Sequence, residues 1–157
     1  MKKWIFLFVF FTIAILGFGI KVYVNAMEPL KMAEKKAYSL AKKETDIQEV
    51  EDFHLYHGQE TVNVIEGKNK LGEKIIIWIP EKSKKVIVRK AKNGLAKGDA
   101  IQKLLQEKNS VEIISVRLGM EKNIPLWEIH YRSNNNLINY YYIHFETGEW
   151  LKEIENL

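Results

Sequence analysis

From Trp4 to Ile20 the chain runs seventeen residues without a charge, and Thr12 is the one clearly polar side chain among them. At 1.5 Å of rise per residue, a helix over this run covers roughly 25 Å. Adding Lys21 to Val24, with the Lys21 stem reaching back to the interface, brings it to the ~30 Å of a hydrocarbon core. Trp4 and Tyr23 fall near the two ends, where amphipathic rings favour the headgroup region, and Lys2 and Lys3 mark the end that stays in the cytoplasm. Val24-Asn25-Ala26 offers the small-residue spacing of a signal-peptidase site, but the apolar run is longer than the roughly 7 to 15 residues of a cleaved signal. Residues 1–26 therefore read as a retained single-pass anchor. Lys21, Lys31, Lys35 and Lys36 outnumber Lys2 and Lys3, a count that opposes this orientation. A long domain, however, translocates with little regard to its charge, so the bulk of the chain is placed outside the cytoplasm.

Beyond the anchor the period changes. Leu30, Ala33, Ala37, Leu40 and Ala41 recur at helical spacing behind Pro29, predicting a helix over 29–43. Alternation and β-branched runs then predict strands at 50–56, 61–65, 74–79 and 85–89, with Glu66 to Gly72 read as a turn region and Pro80 ending a central strand. After Asn93-Gly94 the order repeats: a helix over 97–108 carrying Ala100, Ile101, Leu104 and Leu105, then strands at 111–120, 126–132, 137–145 and 150–154. In this second set Ile114, Val116, Leu118 and Met120 alternate onto one face and Trp127, Ile129 and Tyr131 onto another, while Gly148 is available for positive φ in the Glu146–Glu149 turn. The reading is an α+β chain: an anchor, then two units of helix plus four-stranded antiparallel meander, at 27–92 and 93–157. Each unit is near the lower size limit for a stable core, which predicts that the two pack together.

Composition narrows the chemistry. The 24 basic residues include Lys2 and Lys3, so against 20 acidic residues the part beyond the anchor carries only about +2. It has no concentrated basic stripe, which argues against a nucleic-acid partner. The absence of cysteine excludes disulfides, thiol nucleophiles and lipid attachment to an N-terminal thiol. Ser39-Leu40-Ala41-Lys42 and Ser133-Asn134-Asn135 match two parts of a penicillin-interactive serine site, but Glu146-Thr147-Gly148 stands where a basic K-T-G is required. His54 and His57 lie three apart in a strand and point to opposite faces, so they and the distant His130 and His144 predict no metal site. No phosphate loop, H-E-x-x-H or calcium loop is present, so neither catalysis nor a cofactor is expected.

The last third is dense in aromatic residues. If Tyr141, Ile143 and Phe145 point inward with Leu137, then Tyr140, Tyr142 and His144 share the opposite face; with Trp150 they form the candidate partner surface. An equal alternative is that this face packs on the first unit.

The strand 126–131 (LWEIHY) and the segment 140–150 (YYYIHFETGEW) resemble a PepSY-type domain, in which a tryptophan strand is followed by a strand ending in an acidic-x-Thr-Gly-x turn. Here Glu146 sits directly before the Thr-Gly pair. The whole chain is similar to the YpmB or TseB-like family of Gram-positive bacilli, through the short anchor, Ala-Lys-Lys-Glu-Thr-Asp at 41–46, Trp-Ile-Pro at 78–80 and the Leu-Trp-Glu strand. Lys97-Gly98-Asp99 departs from the family's Ser-led start of the second helix. The resemblance implies two cystatin-like or PepSY-like domains outside the cytoplasmic membrane. It also implies a non-catalytic regulator of cell wall elongation, acting through a penicillin-binding protein of the elongation machinery. The competing expectations are a protease inhibitor, with wedge loops at 68–72 or 133–136, and an envelope sensor of a wall fragment.

Overall fold

The computed structural model describes residues 2–108 and 110–155, apart from the side chains of Lys2, Ile5, Phe6 and Leu7. Contacts divide the chain into two units, Met1–Lys36 and Ala37–Leu157.

The described residues of the first unit, 2–36, are helical and lie in α1 (Lys2–Glu44). Within Phe8–Glu44 it is long and apolar enough to cross a membrane, and no residue of its apolar window is buried. The separate helix expected from Pro29 onward does not exist, because Pro29 lies inside α1. Proline removes one backbone donor, but the methionine, glutamate, leucine, lysine and alanine around it are strong helix formers that carry the helix through.

In the second unit, α1 ends where the Thr45 amide and hydroxyl both donate to the Ala41 carbonyl. Four strands follow: β1 (Ile47–His57), β2 (Thr61–Asn69), β3 (Lys74–Pro80) and β4 (Ile87–Lys90). After α2 (Lys97–Glu107) come β5 (Glu112–Glu121), β6 (Ile124–Arg132), β7 (Ile138–His144) and β8 (Trp150–Ile154). Both sheets are antiparallel meanders in the order of the chain. The expected fold class thus holds as an α+β chain with an apolar N-terminal helix and two four-stranded antiparallel sheets.

The central strands of the first sheet, β2 and β3, are buried on both faces. Ile47, Ile65, Ile75, Ile77 and Ile79 pack with Ala37 and Ala41 of α1, where small side chains let helix and sheet approach closely. Tyr56, Val62, Val64, Ile76 and Trp78 alternate to the other face and share a core with Leu118, Met120, Trp127 and Phe145 of the second half. Trp78 and Phe145 meet edge to face at 5.3 Å. Each fully buried residue of this size contributes about 1.5–3 kcal/mol relative to exposure. Ala100 and Leu104 of α2 join the same core.

Two register details correct the expected pattern. β2 runs on to Asn69, through residues read as a turn, while β1 shifts register between Val50 and Asp52. Gly67 makes this possible, because a Cβ there would stand 2.1 Å from the Glu49 carbonyl oxygen. In β5, a shift between Ile113 and Ser115 takes Ile114 out of the row of Val116 and Leu118 and leaves it 41% exposed. Trp127, Ile129 and Tyr131 pair with Leu118, Val116 and Ile113, so they share that face instead of forming another. Gly148 does take the expected positive φ, 69°.

Candidate functional site

The aromatic strand β7 behaves as two rows. Tyr141 and Ile143 are buried, as alternation predicts. On the other row Tyr140 stacks flat against His130, with ring centroids 4.5 Å apart, and Tyr142 continues the stack at 6.5 Å from Tyr140. Tyr142, however, is only 5% exposed, so it is no part of an outward patch. Its ladder neighbours cover it: Lys152 Nζ lies 4.2 Å from its ring centroid, and Glu128, opposite it on β6, is itself buried and held by Arg117 Nε at 2.6 Å. Burial first, then the Glu128 and Glu121 carboxylates, push the Tyr142 hydroxyl well above the usual phenol range.

His144 is half-buried and engaged in the chain's own turn, with Nδ1 accepting the amides of Glu146 at 3.1 Å and Thr147 at 3.2 Å. Trp150, at the start of edge strand β8, is 57% exposed. It pairs with Ile143 across a register shift, and its ring takes no part in the Tyr140 stack. Of the four aromatic candidates, the structure therefore brings Tyr140 and Tyr142 together, turns His144 to a local task and leaves Trp150 as the most accessible. Lys3 is exposed near the start of α1, whereas the side chain of Lys2 lies outside the described residues.

A second constellation lies where the sheets meet. The register shift in β1 turns Glu51 toward Lys68 (2.8 Å) and Lys74 (3.4 Å). It also sets Asp52 directly across the ladder from Glu66, with His54 two residues on along the same face. All three line a cleft of about 630 Å³, together with Ile76, Leu118, Trp127 and Phe145. His54 Nε2 stands 2.9 Å from the Leu118 carbonyl oxygen, a contact that ties the first sheet to β5, and His54 Nδ1 is 3.8 Å from Asp52 Oδ2. One ligand atom from each of Asp52, His54 and Glu66 falls within 4.8 Å of the others. Burial and the facing Asp52 carboxylate raise the Glu66 carboxyl above its ordinary range, against the opposing pull of His54 and Lys74.

The histidine spacing gave no hint of this group. His57 does point elsewhere, with Nδ1 3.3 Å from Thr61 Oγ1. The partners of His54 are an aspartate at i−2 and a glutamate from the segment read as a turn. A strand reading of residues 61–69, with alternation placing Val62, Val64 and Glu66 on one face, would have found it.

Comparison with known proteins places these features in context. Residues 36–80 match the family described as the cell wall elongation regulator TseB-like domain. Over 143 residues, 90% of this chain and 89% of the other, the sequence is 31% identical to the "Probable cell wall elongation regulator TseB" of Bacillus subtilis (strain 168). The solved structure of the YpmB protein from Bacillus subtilis superposes with a TM-score of 0.74 at 31% identity, covering 77% of this chain and 95% of that one.

Proposed function

Because this chain belongs to the TseB-like family of cell wall elongation regulators, we propose that it regulates wall elongation outside the cytoplasmic membrane, without catalysis, by associating with a penicillin-binding protein of the elongation machinery. The observation that carries this reading is the 31% identity, over 90% of the chain, to a relative named for that regulation. The unburied apolar window of α1 supports a membrane anchor. On this reading Lys2 and Lys3 stay on the cytoplasmic side and the chain beyond residue 26 lies outside. Confinement of both proteins to one membrane raises their effective concentration, so that a weak interface suffices. Residues 27–92 and 93–157 are, in this proposal, two cystatin-like or PepSY-like units, each a helix followed by a four-stranded meander; the repeated order of elements supports the division.

The partner surface is assigned to the outer edge of the second sheet. There Trp150 is 57% and Ile154 38% exposed, and Tyr140 stands opposite Ile154 in the ladder. An edge strand carries unpaired backbone groups, and an accessible tryptophan is a common energetic anchor of protein interfaces.

The test is photo-crosslinking in intact membranes, with the reactive group placed in turn at Trp150, Tyr140 and, as a control, Lys70. The expected result is capture of a penicillin-binding protein from the first two positions and not from Lys70. Recovery of no peptidoglycan synthase from any position would sink the association.

A further inference from the structure

Asp52 and Glu66 are directly opposed carboxylates on one face of an antiparallel pair, an arrangement that is destabilising when nothing lies between the charges. The Glu66 carboxylate makes no hydrogen bond and no ion pair among the described residues, although the residue is half-buried. The cationic side chains around the same cleft are Lys74, Lys97 and Arg117. Lys74 is paired with Glu51, and Arg117 is held by the buried Glu128.

His54 completes the picture. A carbonyl oxygen only accepts, so the 2.9 Å contact with Leu118 requires Nε2 to carry the proton. In the neutral imidazole, Nδ1 then carries a free lone pair, beside Asp52. Its 3.8 Å separation from Asp52 Oδ2 is too long for a hydrogen bond. It is close to the spacing of two donors on one ion, since bonds of about 2.0–2.2 Å at a tetrahedral angle put ligand atoms roughly 3.4 Å apart. A metal-binding histidine commonly donates its second ring N–H to a backbone carbonyl, which fixes both tautomer and orientation. Leu118, on a different sheet from the three candidate ligands, supplies that carbonyl here.

We propose that Asp52, His54 and Glu66 form a site for one divalent transition-metal ion, held by an oxygen from each carboxylate and by His54 Nδ1, with its open coordination position facing the inter-sheet cleft. Two oxygens and one imidazole nitrogen suit Zn²⁺, and Mn²⁺ less tightly. Because the ligands come from β1 and β2 while the orienting carbonyl belongs to β5, occupancy strengthens the junction between the sheets. The inference does not depend on the wall-regulator reading.

The experiment titrates the detergent-solubilised full chain, stripped with chelator, with ZnCl₂ or MnCl₂, following heat of binding and melting temperature. The wild-type chain is expected to bind one Zn²⁺ and to melt at higher temperature when loaded. Asp52→Asn, Glu66→Gln and His54→Gln should each weaken binding by about tenfold or more. Asp52 is solvent-exposed, so Asp52→Asn tests the site without threatening the fold. His57→Gln, which removes the neighbouring imidazole and none of the ligands, should bind as the wild type does. The proposal is overturned if the wild-type chain binds neither ion at micromolar concentration, if Asp52→Asn and Glu66→Gln together leave affinity unchanged, or if His57→Gln abolishes binding.

Discussion

Gly119 has no room for a side chain. A Cβ there would come within 2.4 Å of the Tyr56 ring, which also lies under the Arg117 guanidinium at 5.7 Å and reaches Glu121 with its hydroxyl. This ring sits on the seam between β1 and β5, so Gly119→Ala must push the strands apart or turn Tyr56 out of a site where it is fully buried. Overpacking of this kind typically costs 1–3 kcal/mol. The expected result is a loss of about that size in chemical denaturation, partly relieved by Tyr56→Leu, which removes the ring. At Glu73 the effect is one of pH. Hydrogen bonds from Lys90 first, then Lys92 and Asn69, hold its carboxyl down at about 2, below the ordinary value of 4.5. A depressed carboxyl stabilises the fold above its unfolded value and loses that contribution as pH falls from about 4.5 toward about 2. Glu73→Gln should therefore be less stable than the wild type at neutral pH, with the difference closing across that window. A difference independent of pH would show that the Lys90 and Lys92 contacts contribute nothing through charge.

At the scale of elements, the eight strands and α2 were legible because period-two alternation and β-branched runs are local properties of the chain. What escaped, apart from the passage of α1 through Pro29, depends on contacts distant in sequence. Pro29 reads as a helix start, yet α1 passes through it, because helix-forming residues on both sides outweigh one missing donor. Glu66 to Gly72 reads as a turn region, yet of its two glycines Gly72, with φ of 75°, is the one that turns the chain; Gly67 serves the close approach of β1. That misreading concealed the one place where Asp52, His54 and Glu66 meet, since the group exists only with Glu66 in a strand and in register with Asp52. The aromatic row of β7 was half legible. Alternation assigns Tyr140 and Tyr142 to one face, but whether that face is covered depends on Glu128 and Lys152 from the neighbouring strands, which no periodicity in β7 encodes.

For the molecule as a whole, the decisive fact is that one apolar cluster takes residues from both sheets. Tyr56, Val62, Val64, Ile76 and Trp78 come from the first half, and Leu118, Met120, Trp127, Ile143 and Phe145 from the second. Residues 37–157 accordingly form one compact unit. A meander with a single helix has too small a core to persist alone, so the shared face supplies stability to both halves. Native-state hydrogen exchange on the solubilised full chain tests this. The amides of Ile77 in β3 and Tyr141 in β7 are expected to open with the same free energy, as members of one cooperative unit. Trp78→Ala, which removes a fully buried ring from the seam, should lower both values together by about 3–5 kcal/mol. A drop confined to β1–β4, with Tyr141 protected as before, would mean that the second half folds without the first and that the seam is a docking contact between autonomous domains.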